Sequence, residues 1–152
     1  MYKYILFDFD GTVFDTVEGI TKSVRYAINK RGMDAPLDSL RCFAGPPLVD
    51  MYMEHFGGTP EEADQFVRDF RERYQPIGLY ECRIFPGITE LLTELRAAGR
   101  VTAVATLKPQ HLASTLLERA DITSMFDAIC GSSTEGHEGT KREIITRVMD
   151  ML

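Results

Sequence analysis

No stretch of this 152-residue chain approaches the roughly 20 consecutive apolar residues of a membrane span. Nor does the N-terminus carry the charged-then-apolar run and small-residue cleavage site of a secretory leader, so the expected compartment is the cytoplasm. Cysteine is scarce. Cys42, Cys82 and Cys130 are too few and too widely spaced for a disulfide framework or a zinc site, which leaves buried or half-buried thiols. His55, His111 and His137 show no metal-ligand spacing either. Positive charge is in deficit: the net charge is -6 and no basic stripe exists, which argues against nucleic acid as a partner. It does not exclude an anionic substrate, because a bound metal can reverse the local sign. Repeats and low-complexity segments are also missing.

What is present is an alternation of strand and helix patterns. Tyr4–Phe9, Val101–Thr106 and Phe126–Cys130 read as strands separated by helices, the pattern of an α/β domain with a parallel sheet. Three capping boxes mark helix starts: Asp15 with Glu18, Thr59 with Glu62, and Thr140 with Glu143. Apolar stripes at helical spacing follow. They are Val17, Ile20, Val24, Ala27 and Ile28; Ala63, Phe66, Phe70 and Tyr74; Ile88, Leu91, Leu92 and Leu95; and Ile144, Ile145, Val148, Met149 and Leu152. A further helix is expected around Gln110–Arg119, and a glycine-rich loop from Gly131 to Gly139. The interval from Asp15 to about Arg83 is too long for one crossover helix and contains no strand pattern. It reads as a helical insert, which divides the chain into an α/β core of 1–14 with 84–152 and a helical domain of 15–83.

The chemistry concentrates where the first strand ends. Asp8 and Asp10 alternate around Phe9 and emerge together at a C-terminal strand edge, where α/β sheets place their sites. Gly11 follows and permits a backbone conformation that other residues resist. Two carboxylates there can hold a divalent metal, and one can attack phosphorus while the other moves a proton. Thr106 stands at the end of the second strand, where its hydroxyl is either a ligand for a phosphoryl oxygen or an ordinary strand side chain. Lys141 opens the last helix, an end where a cation is electrostatically misplaced. Lys108 either faces substrate or is solvated. The turn Phe43–Pro47 is stiffened by Pro46 and Pro47 around Gly45, and Arg41 precedes it as a weaker candidate for binding an anionic group.

These segments together resemble a known family. DFDGTVFDT at Asp8–Thr16 is similar to the first motif of the haloacid dehalogenase superfamily. FAGPPL at Phe43–Leu48, FPGITELLTEL at Phe85–Leu95, VATLKP at Val104–Pro109, and GSSTEG followed by Lys141 resemble its phosphoglycolate-phosphatase-like branch. The resemblance runs over the whole chain. It implies a Rossmann-like parallel sheet core with an inserted α-helical cap domain that closes over the active site. It implies a magnesium-dependent phosphatase of a small phosphorylated metabolite, working through an aspartyl-phosphate. In that scheme Asp8 is the nucleophile and Asp10 the acid and then the base. Thr106 holds a phosphoryl oxygen, and Lys141 neutralises nucleophile and phosphate. Asp8 and Asp10 hold the magnesium, and Gly11, Thr12, Gly45, Pro46, Leu107 and Lys108 line the substrate.

One departure stands out against that pattern. The family's fourth motif, an acidic residue after a further strand, has no match after Lys141; Asp150 lies within the helix pattern. The expectation is therefore the N-terminal two-thirds of a phosphatase, with weak magnesium binding, little activity, and strand Tyr4–Phe9 left as an edge open to self-association. A phosphosugar mutase of the same superfamily and a non-catalytic binding fragment are the alternatives. A signalling receiver domain is disfavoured, because its phosphoacceptor follows the third strand.

Overall fold

The computed structural model describes residues 2–133 and 140–152. Cα proximity divides the chain into two compact units, Met1–Asp15 with Ile84–Leu152, and Thr16–Arg83. We describe them separately.

The first unit is α/β. Its sheet has three parallel strands, β1 (Tyr4–Phe7), β4 (Val101–Pro109) and β5 (Ala128–Ser132), in the order β1-β4-β5. Tyr4 pairs with Val101 and Phe7 with Val104, while Ala103 pairs with Ala128 and Ala105 with Cys130. β4 is central, buried on both faces and correspondingly apolar from Ala103 to Ala105. Helices α4 (Ile88–Ala97), α5 (Gln110–Arg119) and α6 (Lys141–Met151) pack on this sheet. Under α6 lies a cluster of Ala103, Ala105, Ala128, Cys130, Ile144 and Val148. Phe7 points the other way, where its ring meets Phe126 edge-on at 6.0 Å. Two short strands not anticipated from sequence, β2 (Phe14–Asp15) and β3 (Arg83–Ile84), pair where the chain leaves this unit and returns to it.

The second unit is helical: α1 (Val17–Asn29), a 3-10 turn at Leu37–Phe43, α2 (Leu48–Phe56), α3 (Pro60–Tyr74) and a short 3-10 turn at Gly78–Tyr80. α1 buries Ile20, Val24, Ala27 and Ile28, the stripe its periodicity marks out. Aromatic rings fill much of the interior, with the Phe66 ring against those of both Phe43 and Tyr52. Asp69 is buried and is held by Lys30 (2.7 Å), by the Gln65 amide (3.1 Å) and by Arg31 (3.6 Å). Burial alone would push its carboxyl up, but the hydrogen bonds from Lys30 and Gln65 outweigh burial and hold it below the ordinary carboxylate value.

Several expectations need correction. β1 ends at Phe7 rather than Phe9, because the Phe9 carbonyl already accepts from the backbone N–H groups of Thr12, Val13 and Phe14. The turn that claims this carbonyl follows the second aspartate, over residues 11–13. β4 runs to Pro109 rather than Thr106, with an irregular register after Ala105, and the third strand is shifted to Ala128–Ser132. The capping boxes at Thr59/Glu62 and Thr140/Glu143 are present, but the one at Asp15/Glu18 is not. Thr16 occupies that N-cap without a side-chain hydrogen bond, and Asp15 belongs to β2. On α4 only Leu92 is fully buried, and Leu91 is 41% exposed. On α6, Ile144 and Val148 are buried while Ile145 and Met149 are exposed.

Candidate active site

The C-terminal edge of the sheet in the α/β unit carries five of the expected residues. Asp8 follows β1 directly, and its Oδ1 lies 2.7 Å from Lys141 Nζ at the start of α6. The same ammonium donates to the Ala105 carbonyl oxygen, also at 2.7 Å. Thr106, next along β4, is buried, and its Oγ1 accepts from the Lys108 backbone N–H at 3.1 Å. Lys108 then sends its own ammonium to Asp10 Oδ1, 3.2 Å away. Asp10 is two residues from Asp8, so the contacts close into a loop. That loop runs Asp8, Lys141, Ala105, Thr106, Lys108, Asp10. Three segments far apart in sequence are thereby joined by contacts of hydrogen-bond length.

Local sequence explains each placement. Gly11 adopts φ +78°, a conformation that disfavours a side chain, and so lets the chain fold back after Asp10. Its N–H donates to the Phe14 carbonyl oxygen at 2.8 Å. The Thr140/Glu143 capping box sets where α6 begins and thus where Lys141 stands. The favourable pair with Asp8 resolves the apparent misplacement of a cation at a helix N-terminus.

The remaining expected residues are distributed as follows. Thr12 is exposed on the turn after Asp10. The side chain of Leu107 packs against the apolar cluster under α6. Gly45 (φ +115°) and Pro46 lie in the helical unit, on the exposed turn ahead of α2, with Arg41 exposed nearby. His55 is held between the Phe43 and Phe56 rings and reaches within 4.0 Å of Cys42 Sγ. His111 is exposed. His137 and the glycine-rich loop over 134–139 lie outside the described residues. All three cysteines are free thiols; Cys130 is buried, Cys82 half-buried, and Cys42 exposed against expectation. The feature that sequence reading missed is the direct Lys108–Asp10 pair. A lysine inside an otherwise buried strand was the available signal.

The two carboxylates offer hard oxygen donors, and the Asp8 side chain is 48% exposed. This donor set suits magnesium, which is often bound by one or two carboxylates with water and phosphate oxygens completing the shell. Among the described residues, no group of three or more His, Cys, Asp or Glu side chains gathers that could hold a metal ion. Both carboxylates are instead countered by lysines, Asp8 by Lys141 and Asp10 by Lys108.

With that geometry in place, comparison with known proteins decides the family. Residues 5–152 match the model of the haloacid dehalogenase-like hydrolases. The chain belongs to that family. A 5'-nucleotidase of Pseudomonas aeruginosa is 41% identical over 150 residues, an alignment covering 98% of this chain and 68% of the relative. The tyrosine-protein kinase PtkA of Mycobacterium tuberculosis is 34% identical over 151 residues, covering 99% of this chain and 51% of that protein. The crystal structure of a predicted phosphatase from Clostridium acetobutylicum superposes with a TM-score of 0.93 at 39% identity, covering 99% of this chain and 70% of that one. As a haloacid dehalogenase-like hydrolase, the chain shares its fold with the structure of that predicted phosphatase. Among the described residues, no helix is long and apolar enough to cross a membrane.

Proposed function

We propose that this chain carries the catalytic machinery of a magnesium-dependent phosphatase acting on a small phosphorylated metabolite. Asp8 attacks phosphorus and becomes an aspartyl-phosphate, which water then hydrolyses. The observation that carries this reading is the closed loop of contacts in which Asp8 meets Lys141 at 2.7 Å and Asp10 meets Lys108 at 3.2 Å. It separates two chemically similar carboxylates into different surroundings. Asp8 is half-exposed and open to a substrate, whereas the Asp10 side chain is only 12% exposed. Two carboxylates with two environments support two roles, nucleophile and proton carrier.

Charge supports the metal. The two lysines offset the two aspartates, so a phosphate monoester, with about −1.5 to −2 of charge, arrives uncompensated. A divalent cation held by the Asp8 carboxylate and by Asp10 would restore the balance, and when bound it supplies charge stabilisation at the phosphoryl oxygens. The chain's own groups do the rest. Lys141 neutralises Asp8 and steadies the phosphate, Thr106 presents its hydroxyl, and Asp10 protonates the departing alcohol and then takes a proton from water.

The relatives rank the substrates to try. Nucleoside monophosphates come first, after the 41% identical nucleotidase, with phosphoglycolate next because phosphoglycolate phosphatases are among the relatives. The test is release of inorganic phosphate from both, and from p-nitrophenyl phosphate, with magnesium and with chelator, for wild type and Asp8→Asn. Magnesium-dependent release lost in Asp8→Asn supports the reading; wild-type-like turnover by that variant refutes it.

A further inference from the structure

Lys108 occupies an unusual position for a lysine. It lies on β4, only 7% exposed as a residue, and its ammonium is withdrawn from water. Buried lysines are rare unless paired. This one pairs with Asp10 Oδ1 at 3.2 Å and sits 5.7 Å from the centre of the Phe9 ring. The side chains in the pair are 4% and 12% exposed, so little water screens the attraction. The same residue's backbone N–H donates to Thr106 Oγ1. Its backbone is pinned as well. A Cβ built at Gly131 on β5 would lie 2.6 Å from the Lys108 carbonyl oxygen and 2.7 Å from the Gln110 backbone nitrogen, so only glycine permits that approach. The Gly131 N–H donates to the Gln110 side-chain oxygen, and Pro109 restricts the backbone between.

We propose that Lys108 is a positioning residue that couples the acid–base carboxylate of Asp10 to the phosphate-holding hydroxyl of Thr106. Because Thr106 Oγ1 accepts from the Lys108 N–H, its own proton is directed elsewhere and is free to donate to a phosphoryl oxygen. Because the Lys108 ammonium holds Asp10 Oδ1, the other carboxyl oxygen is the one left to pass a proton to the departing alcohol. The two groups must act on neighbouring atoms of one substrate. A rigid residue between them fixes their spacing, and spacing errors of about 1 Å can cost on the order of 100-fold in rate. The role assigned here is distinct from contact with substrate, and it rests on the phosphatase reading above for its catalytic consequence.

Two measurements test it. The first needs no turnover. In protein labelled with 15N-lysine, the ammonium resonance that disappears in Lys108→Arg belongs to Lys108. It should be protected from solvent exchange and should shift in Asp10→Asn. An ammonium that exchanges like a solvated lysine and ignores Asp10→Asn overturns the proposal. The second compares leaving groups. An alkyl phosphate needs its departing oxygen protonated, whereas p-nitrophenolate leaves without help. In Lys108→Met, kcat/KM for the alkyl phosphate, which reports phosphoryl transfer ahead of the shared hydrolysis of the aspartyl-phosphate, should fall at least about 10-fold further than kcat/KM for p-nitrophenyl phosphate, within the range that general acids supply. KM should change little, and Lys108→Arg should recover part of the difference. Equal losses on both substrates, or a loss confined to KM, would assign Lys108 to support or substrate binding and overturn positioning. If the wild type hydrolyses neither substrate, the phosphatase reading fails for this chain, and the ammonium resonance still decides the Lys108–Asp10 link.

Discussion

Replacing Gly19 with alanine should destabilise the protein, although general helix energetics say the opposite. Gly19 lies inside α1, where glycine is less favourable than alanine by about 1 kcal/mol. On that ground alone Gly19→Ala stabilises. But α1 meets the turn at Gly78–Tyr80 backbone to backbone: a Cβ at position 19 would lie 1.8 Å from the Gly78 carbonyl oxygen and 2.7 Å from its carbonyl carbon. Ordinary contact begins near 3.4 Å, so the two segments must separate by well over an ångström. No rotamer relieves the clash, since both partners are main chain. The turn is also tethered to α1, by the Gly19 N–H on the Glu81 carbonyl oxygen at 3.2 Å. Overpacking of this kind costs about 1–3 kcal/mol and at times more. A backbone clash belongs at the upper end. After the propensity gain, the net loss is about 2 kcal/mol, or about 4–8 °C in Tm for a chain of this size. Urea and thermal unfolding followed by circular dichroism measure both. Gly78→Ala should behave similarly, because its Cβ would meet Ser23 Oγ at 2.5 Å and the Gly19 carbonyl oxygen at 2.8 Å. A Gly19→Ala variant that melts above wild type would show that the close approach of α1 to the Gly78 turn is wrong.

Three further outcomes follow from the same structure. Lys141→Met should lower phosphate release by about 100-fold or more, the size of effect expected when an electrostatic stabiliser is removed, while leaving the urea midpoint unchanged because the lysine is partly solvent-exposed; a large fall in midpoint would make Lys141 structural instead. Stability should decline on acidification through the Asp69 and Glu81 carboxyls. Both are held below their ordinary values, Asp69 by Lys30 and Gln65 against the opposing effect of burial, and Glu81 chiefly by Arg73. Their contribution is present above the unfolded-state values of about 4 and is lost as pH falls through the lower folded-state values. Urea midpoints measured down from pH 6 should drop below about pH 4, and Asp69→Asn should flatten that slope; an unchanged slope refutes the assignment. Finally, among the described residues β1 has a strand partner on one side only, so we expect this chain to self-associate through Tyr4–Phe7, read as a mass above monomer in multi-angle light scattering; a monodisperse monomer would remove that expectation.

Sequence patterns located those features of the fold that depend on neighbours a few residues away. The α1 stripe, the capping boxes at Thr59 and Thr140, and the helix at Gln110–Arg119 are all local signals, and the structure contains each. The failures have a common cause in distant pairing. Asp15 satisfies the rule for an N-cap, yet Phe14–Asp15 pairs with Arg83–Ile84, about 70 residues on, and the helix starts later. The first strand stops at Phe7 because the turn after Asp10 claims the Phe9 carbonyl. The α4 and α6 stripes are apolar as expected, but Leu91, Ile145 and Met149 remain exposed, since periodicity tells which side chains share a face and not what covers that face.

The site divides along the same line. Asp8 and Asp10 were legible because their chemistry is concentrated in three consecutive residues, and the motif that contains them is dense enough to stand out. The lysines were harder, because what matters about a lysine is the carboxylate it finds. By its local sequence Lys141 is electrostatically misplaced at the head of α6, and Asp8, 2.7 Å from its ammonium, supplies the missing compensation. Lys108 reads from sequence as solvated or substrate-facing; the structure removes the solvated reading, since the side chain is buried and its partner Asp10 lies 98 residues earlier in the chain. A buried cation on a central strand is costly unless something opposite compensates it. A lysine at a position where the strand pattern demands an apolar residue is therefore informative in itself. It signals that a carboxylate must arrive from elsewhere in the fold, and here that carboxylate is the second aspartate of the first motif.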